Sequence, residues 1–146
     1  MRQLTAHFTL DELTRSELAS RQGLDNTPDA LTVGNLTALC GNILEPLRLK
    51  LDKPIQILSG YRSHVVNLKI GGAKTSQHLI GQAADIIVSG MSVQELFDFI
   101  VSAGLPFDQV IQEFDTWVHV SYSLRNRRQK LRASRNAGQT VYTTIS

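Results

Sequence analysis

Gln109-Val110-Ile111-Gln112-Glu113-Phe114-Asp115-Thr116-Trp117-Val118-His119-Val120-Ser121-Tyr122 contains two short apolar runs on either side of a tight turn near Asp115. Runs of this length, rich in Val and Ile and separated by so few residues, predict neighbouring strands over 109–113 and 117–122. Alternation along the second strand places Trp117, His119 and Ser121 on one face. Provided the turn keeps register, Glu113 has the same parity as Trp117 and His119.

Working outward, the small and apolar residues 83–88 predict another strand. Pro54 introduces a short one at 55–58, closed by Ser59-Gly60, and 141–145 reads as a last strand. Helical signals dominate the first half. Thr9 and Glu12 fit a capping box, so a helix is expected from about Leu10 to Gly23, followed by a turn at 25–28. From Ala30 to about Leu49, the residues Leu31, Val33, Leu36, Leu39, Cys40, Ile43, Leu44 and Leu47 recur mostly at three- and four-residue spacing. They predict a long amphipathic helix, with Pro46 placed to kink its end. A helix over 62–70 is stopped by Gly71-Gly72. Another opens at the Ser92/Glu95 capping box and ends at Gly104-Leu105-Pro106. Helices first, then short strands with one helix among them, predict an α+β fold. The expected form is a single domain over residues 1–146, with a small antiparallel sheet flanked by helices.

A chain of 146 residues, 42% hydrophobic and 19% charged, carries enough apolar material for one core without disulfide staples. Its one cysteine, Cys40, sits in an apolar stretch and excludes both an internal disulfide and a cysteine-based zinc knuckle. The net charge of +2 and pI of about 8.9 fall short of the concentrated charge of a dedicated nucleic-acid binder. The basic run Arg125-Asn126-Arg127-Arg128-Gln129-Lys130, with Arg132 and Arg135, lacks interleaved aromatics for base stacking. It reads more simply as a solvated loop and edge strand, and of possible anionic partners cell-wall carboxylates suit it better than nucleic acid. No apolar run is long enough to span a bilayer, and the first residues lack the apolar stretch of a secretory signal. Neither membrane insertion nor export by a signal peptide is expected.

Two stretches carry chemistry. In Ser76-Gln77-His78-Leu79-Ile80-Gly81-Gln82-Ala83-Ala84-Asp85, an imidazole precedes a glycine turn and a carboxylate sits in the strand leaving it. His119 lies in the strand described first, with Glu113 and Asp115 just before it. Two imidazoles and one carboxylate form a three-ligand set suited to catalytic zinc, with a fourth position for water. Such a site also needs a carboxylate to accept and return a proton, and spacing does not separate Glu113 from Asp115. The plainer alternative is equally compatible with these residues. A lone strand histidine is often only hydrogen-bonded, and Asp85 could serve the amides of the glycine turn. His7 and His64 have no comparable setting and are expected in solvent.

Ser59-Gly60-Tyr61-Arg62-Ser63, Ser76-x-His78-x-x-Gly81-x-Ala83-x-Asp85 and Trp117-Val118-His119, in this order, resemble the signature of the zinc D-alanyl-D-alanine carboxypeptidases and the related L-alanyl-D-glutamate endopeptidases of phage lysins. The likeness is greatest to short single-domain phage and bacterial members and runs from about Thr5 to the C-terminus. It implies the fold shared with hedgehog signalling domains, and one Zn²⁺ per chain on His78, Asp85 and His119. It also implies Arg62 as the side chain that holds a substrate carbonyl or carboxylate, and Ser76 as a substrate-contacting hydroxyl at the cleft rim. Several members carry the catalytic acid three residues before the last histidine, where this chain has Thr116. The hedgehog-like arrangement has a glutamate six residues before it, which matches Glu113, leaving Asp115 as the alternate. Trp117 and Tyr61 could wall the cleft or pack in the core. The implied activity is zinc-dependent hydrolysis of a bond involving D-alanine, or a neighbouring residue, in peptidoglycan stem peptides. It would be carried out by a monomer made in the cytoplasm that reaches the wall after lysis, by holin-type release or within a particle. The rival expectation is a non-catalytic wall-binding or particle-assembly protein that keeps the fold.

Overall fold

The computed structural model describes residues 2–146. Their elements run in the order β1 (Gln3–Thr5), β2 (Phe8–Thr9), α1 (Leu10–Thr14), α2 (Glu17–Gln22), α3 (Ala30–Leu39), a π-helical segment Cys40–Leu44, and α4 (Glu45–Leu51). Then come β3 (Gln56–Ser59), α5 (His64–Lys69), a 3₁₀ turn Gln77–Ile80, β4 (Ala83–Ile87), α6 (Val93–Ser102), β5 (Gln109–Glu113), β6 (Trp117–Ser121), β7 (Gln129–Asn136) and β8 (Gln139–Thr144).

Six of these strands form one sheet in the order β3-β4-β6-β5-β7-β8, and β1 pairs with β2 separately. The expected α+β class holds, but the sheet is mixed rather than wholly antiparallel. β5 and β7 pair in parallel, from Gln109 opposite Gln129 to Glu113 opposite Ala133. The reason is topological. The chain leaves β6 through residues 122–128 and returns on the far side of β5, so β7 must run the same way as β5.

Period two divides the central strands cleanly. Ala84 and Ile86 of β4, Val110 of β5, and Val118 and Val120 of β6 point into the core, beneath Leu36, Leu39, Ile43, Leu44 and Leu47 and beside Leu96, Phe97 and Ile100 of α6. The helices therefore cover one face of the sheet, and Asp85, Ile111, Glu113 and His119 are left on the other.

Local chemistry explains the departures from the expected helices. The stretch expected as one helix from Leu10 to Gly23 is two, because Arg15 is extended and the Ser16 side chain caps α2 by accepting from the Ala19 N–H. Thr9 and Ser92 form the expected capping boxes with Glu12 and Glu95. Through residues 30–51 the helix is continuous, with a widened turn at 40–44 in place of a kink at Pro46. Pro46 lies in the first turn of α4, where the missing N–H is tolerated once the preceding turn is widened. Cys40 is buried in this segment, and burial pushes its thiol up to about 12. Among the described residues no helix is long and apolar enough to cross a membrane.

Candidate metal centre and groove

Two adjacent strands bring the acid and one histidine together. Asp85 on β4 lies directly opposite His119 on β6, and Ser59 on β3 lies on the other side of Asp85. The third group, His78, arrives on the 3₁₀ turn. Ser76 caps that turn by accepting from the His78 N–H at 3.2 Å, and Gly81 closes it at φ +75°. A side chain on Gly81 would also crowd Thr32 and Leu36 of α3, so glycine is required here on two counts.

One Asp85 oxygen is 3.3 Å from His78 Nε2 and 3.1 Å from His119 Nδ1, and the two rings meet edge-on at 5.1 Å between centroids. All three side chains are buried, and their donor atoms lie within 4.8 Å of one another. Burial alone would raise the Asp85 carboxyl, but the facing imidazoles prevail and hold it well below the usual carboxylate range. An ionised carboxylate between two imidazoles is a donor set that zinc accepts.

The backbone fixes the tautomer of His78. Its Nδ1 donates to the Gly60 carbonyl at 2.7 Å, which leaves Nε2 as the ring atom turned toward Asp85. Gly60 in turn is pressed on the end of α1, where any Cβ would overlap the Leu13 carbonyl. That carbonyl also accepts from the Tyr61 N–H at 2.7 Å. Next along the chain, the Arg62 N–H donates to the His78 carbonyl at 3.0 Å and the Ser63 N–H to Asn26 Oδ1 at 2.7 Å. The 60–63 loop is thus held on both sides, and it aims Arg62 into the cleft. Burial lowers the Arg62 guanidinium pKa, while Asp85 and Glu113 act to raise it. Its Nε is buried with no hydrogen-bond partner among the described residues.

Glu113 pairs across the hairpin with Trp117, so the turn keeps the register that the parity argument required. Its Oε1 accepts from the Trp117 indole N–H at 3.1 Å and lies 3.7 Å from His119 Nδ1. The other acid is placed differently. Asp115 sits at the hairpin tip with φ +57°, mostly exposed, engaged by Gln112 and by Arg132.

A groove of about 780 Å³ contains Arg62, Ser76, His78, Asp85, Glu113, Trp117 and His119. Tyr61 lies outside it, in a separate small depression with Arg15, Leu58 and Ile70, and packs partly on the core. His64 begins α5 and is exposed, as expected. His7 is not simply solvated, because its Nδ1 meets Glu45 at 2.5 Å.

Several contributors take roles that the sequence did not reveal. Gly60 stands in a quoted motif, but it acts through its carbonyl, which residue type does not advertise. Gln77 is buried under the turn and donates to Asp108 at 3.0 Å, and Asp108 is clasped by Arg127 at 2.7 Å. That pair ties the groove's far wall to its floor. The residues are 19 positions apart, and only the fold unites them.

Residues 6–121 match the family model described as Peptidase M15. Over 35 residues, 24% of this chain, the sequence is 49% identical to the zinc D-Ala-D-Ala carboxypeptidase of Streptomyces albus G. That matched stretch spans 14% of the relative's length. With His78, Asp85 and His119 forming a group able to hold a metal ion, the chain belongs to the Peptidase M15 family.

Proposed function

We propose that the protein hydrolyses a peptide bond in bacterial peptidoglycan stem peptides, at a bond involving D-alanine or a neighbouring residue. The observation that carries this reading is the buried His78–Asp85–His119 set on the floor of an open groove, with Glu113 beside it. The named relative, a zinc D-Ala-D-Ala carboxypeptidase, supports the choice of substrate.

His78 Nε2, His119 Nδ1 and the Asp85 carboxylate would hold the zinc. When bound there, it supplies a Lewis acid that polarises the scissile carbonyl and acidifies the attacking water. Glu113 serves as the proton carrier, taking a proton from the attacking water and delivering it to the leaving amine. The Trp117 indole N–H steadies Glu113 in that position. Favouring Glu113 over Asp115 are its place in the groove and the engagement of Asp115 with Gln112 and Arg132 outside it. Arg62 donates from its guanidinium to the substrate carbonyl or carboxylate and to the charge that develops on oxygen. Ser76, at the rim, contacts substrate through its hydroxyl, and Trp117 walls the cleft. The protein would act as a monomer, after lysis, holin-type release or delivery within a particle.

The test is mass spectrometry of purified muropeptides incubated with zinc-loaded protein, beside a chelated sample. A zinc-dependent mass loss or split is expected, and the fragments name the bond. His78→Ala should lose zinc and activity together. Glu113→Gln should lose turnover and keep zinc, and full activity in that variant would transfer the role to Asp115. No product from folded, zinc-loaded protein would move the reading to a wall-binding or particle-assembly role.

A further inference from the structure

The groove runs on past the metal set across three more strands. From His119 the row of facing residues passes through Ile111 and Leu131 to Thr144, and the next row runs from Trp117 through Glu113 and Ala133 to Tyr142. Three strand spacings give roughly 14 Å of floor beyond β6, the length of about four extended residues. None of this is needed to hold a metal or to place Glu113.

The far half also has a different charge. The groove's carboxylates, Asp85 and Glu113, lie at the metal end, whereas Arg125, Arg127 and Arg135 line the remainder. Arg127 is committed to Asp108. Arg125 and Arg135 have no carboxylate partner among the described residues. The Arg135 guanidinium lies over the Phe114 ring at 4.5 Å, which steadies its plane and leaves its N–H edge for a ligand. Tyr142 is 56% exposed, lines the groove with Thr140 and Leu131, and stands across from Ala133, which is itself buried. An oriented arginine, a second arginine at the rim and an exposed aromatic on the same groove wall suit an extended peptide that carries a carboxylate.

We propose that the β7–β8 hairpin, residues 129–144, is the distal half of the substrate cleft. It binds a carboxylate-bearing segment of the peptide several residues from the scissile bond. Arg135 is the anion contact, Arg125 assists at the rim, and Tyr142 packs on the peptide. This rests on reading the groove as a peptidase cleft. It makes a multi-residue stem peptide, rather than a dipeptide, the preferred substrate.

The chain's one tryptophan, Trp117, lies inside the groove and reports occupancy through its fluorescence. Two pentapeptides of stem composition, one with free carboxylates and one fully amidated, are titrated into zinc-loaded Glu113→Gln protein. Arg135→Gln in that background should weaken the acidic peptide about 5- to 10-fold and the amidated one less than about twofold. Lys130→Gln removes the same charge from the opposite face of β7 and should change neither. Equal losses for both peptides, or equal effects of the two substitutions, would overturn the proposal. If wild-type protein cleaves no muropeptide while the Arg135 difference holds, the peptidase reading fails and the hairpin remains a peptide-binding surface. If it cleaves and Arg135→Gln binds both peptides as before, the hairpin assignment alone fails.

Discussion

The two faces of β4 and β6 use the same backbone for opposite ends. Ala84, Ile86, Val118 and Val120 face the helices and are fully buried in the core. One residue away in each strand, Asp85 and His119 are nearly as buried but polar, and each depends on particular partners. On the first face volume is what counts, and another apolar residue of like size would serve. On the second, identity counts, because a buried charge is tolerated only where opposite charge and hydrogen bonds meet it. Stability and activity are therefore assigned to opposite sides of one sheet, and substitutions can separate them.

The largest expected effect is on the polar face. His119→Ala should lower zinc-dependent hydrolysis by about a thousandfold or more. In thermal denaturation of the metal-free protein, its midpoint should move by only a few degrees. A collapse of the fold in this variant would break the division. On the apolar face, Val118→Ala should cost about 2 kcal/mol and lower the melting temperature by roughly 6 °C. At 25 °C its turnover should remain within about twofold of the parent, so a large loss there would show that core packing sets the site geometry. The third effect is no larger than the second and depends on pH. Burial works against ionising Asp108, but the Arg127 guanidinium and backbone and the Gln77 amide prevail and hold its carboxyl at about 2. A depressed carboxyl contributes stability that is full above its ordinary value of 3.8 and lost as pH falls toward 2. Asp108→Asn should therefore cost about 2 kcal/mol at neutral pH and flatten the acid limb of stability between roughly pH 4 and 2, as followed by urea denaturation.

This division also explains what could be read from the sequence. The apolar face leaves a periodic trace, so the strands at 83–88, 109–113 and 117–122 and the long helix from Ala30 could be read from residue type alone. Turns and alternation singled out His78, Asp85 and His119 as candidates but left a plain hydrogen-bonded role open; it was the resemblance of the ordered motifs that joined them into one set, and their donor atoms lie within 4.8 Å of one another. The β7–β8 hairpin was harder. Its groove face alternates Leu131, Ala133 and Arg135 with Lys130, Arg132 and Ser134 on the other side, and so many charges mask the period of two. The run Arg125–Lys130, with Arg132 and Arg135, therefore read as a solvated loop and edge strand, and of the hairpin only the last strand, expected at 141–145, was recognised; the edge of the sheet is β8, not β7. The parallel pairing with β5 was not legible, since register between distant strands is set by where the chain returns. Spacing alone left Glu113 and Asp115 open, and the preference for Glu113 came from the resemblance and from strand parity; what sets the two acids apart in space is a hairpin tip where Phe114 and Asp115 both take positive φ.

The Gly60 carbonyl that orients His78 has an evolutionary consequence. Carboxylates that hold a ligand histidine in place are exposed to mutation, because a single base change can remove them. A main-chain carbonyl persists through every substitution. Here the carbonyl itself cannot be lost by substitution, although its placement requires glycine at 60, where any Cβ would meet the Leu13 carbonyl. Beyond that one residue, the weakness moves from spelling to spacing. An insertion or deletion that shifts the 60–63 loop against the end of α1 would turn His78 away while leaving every catalytic side chain present in the sequence.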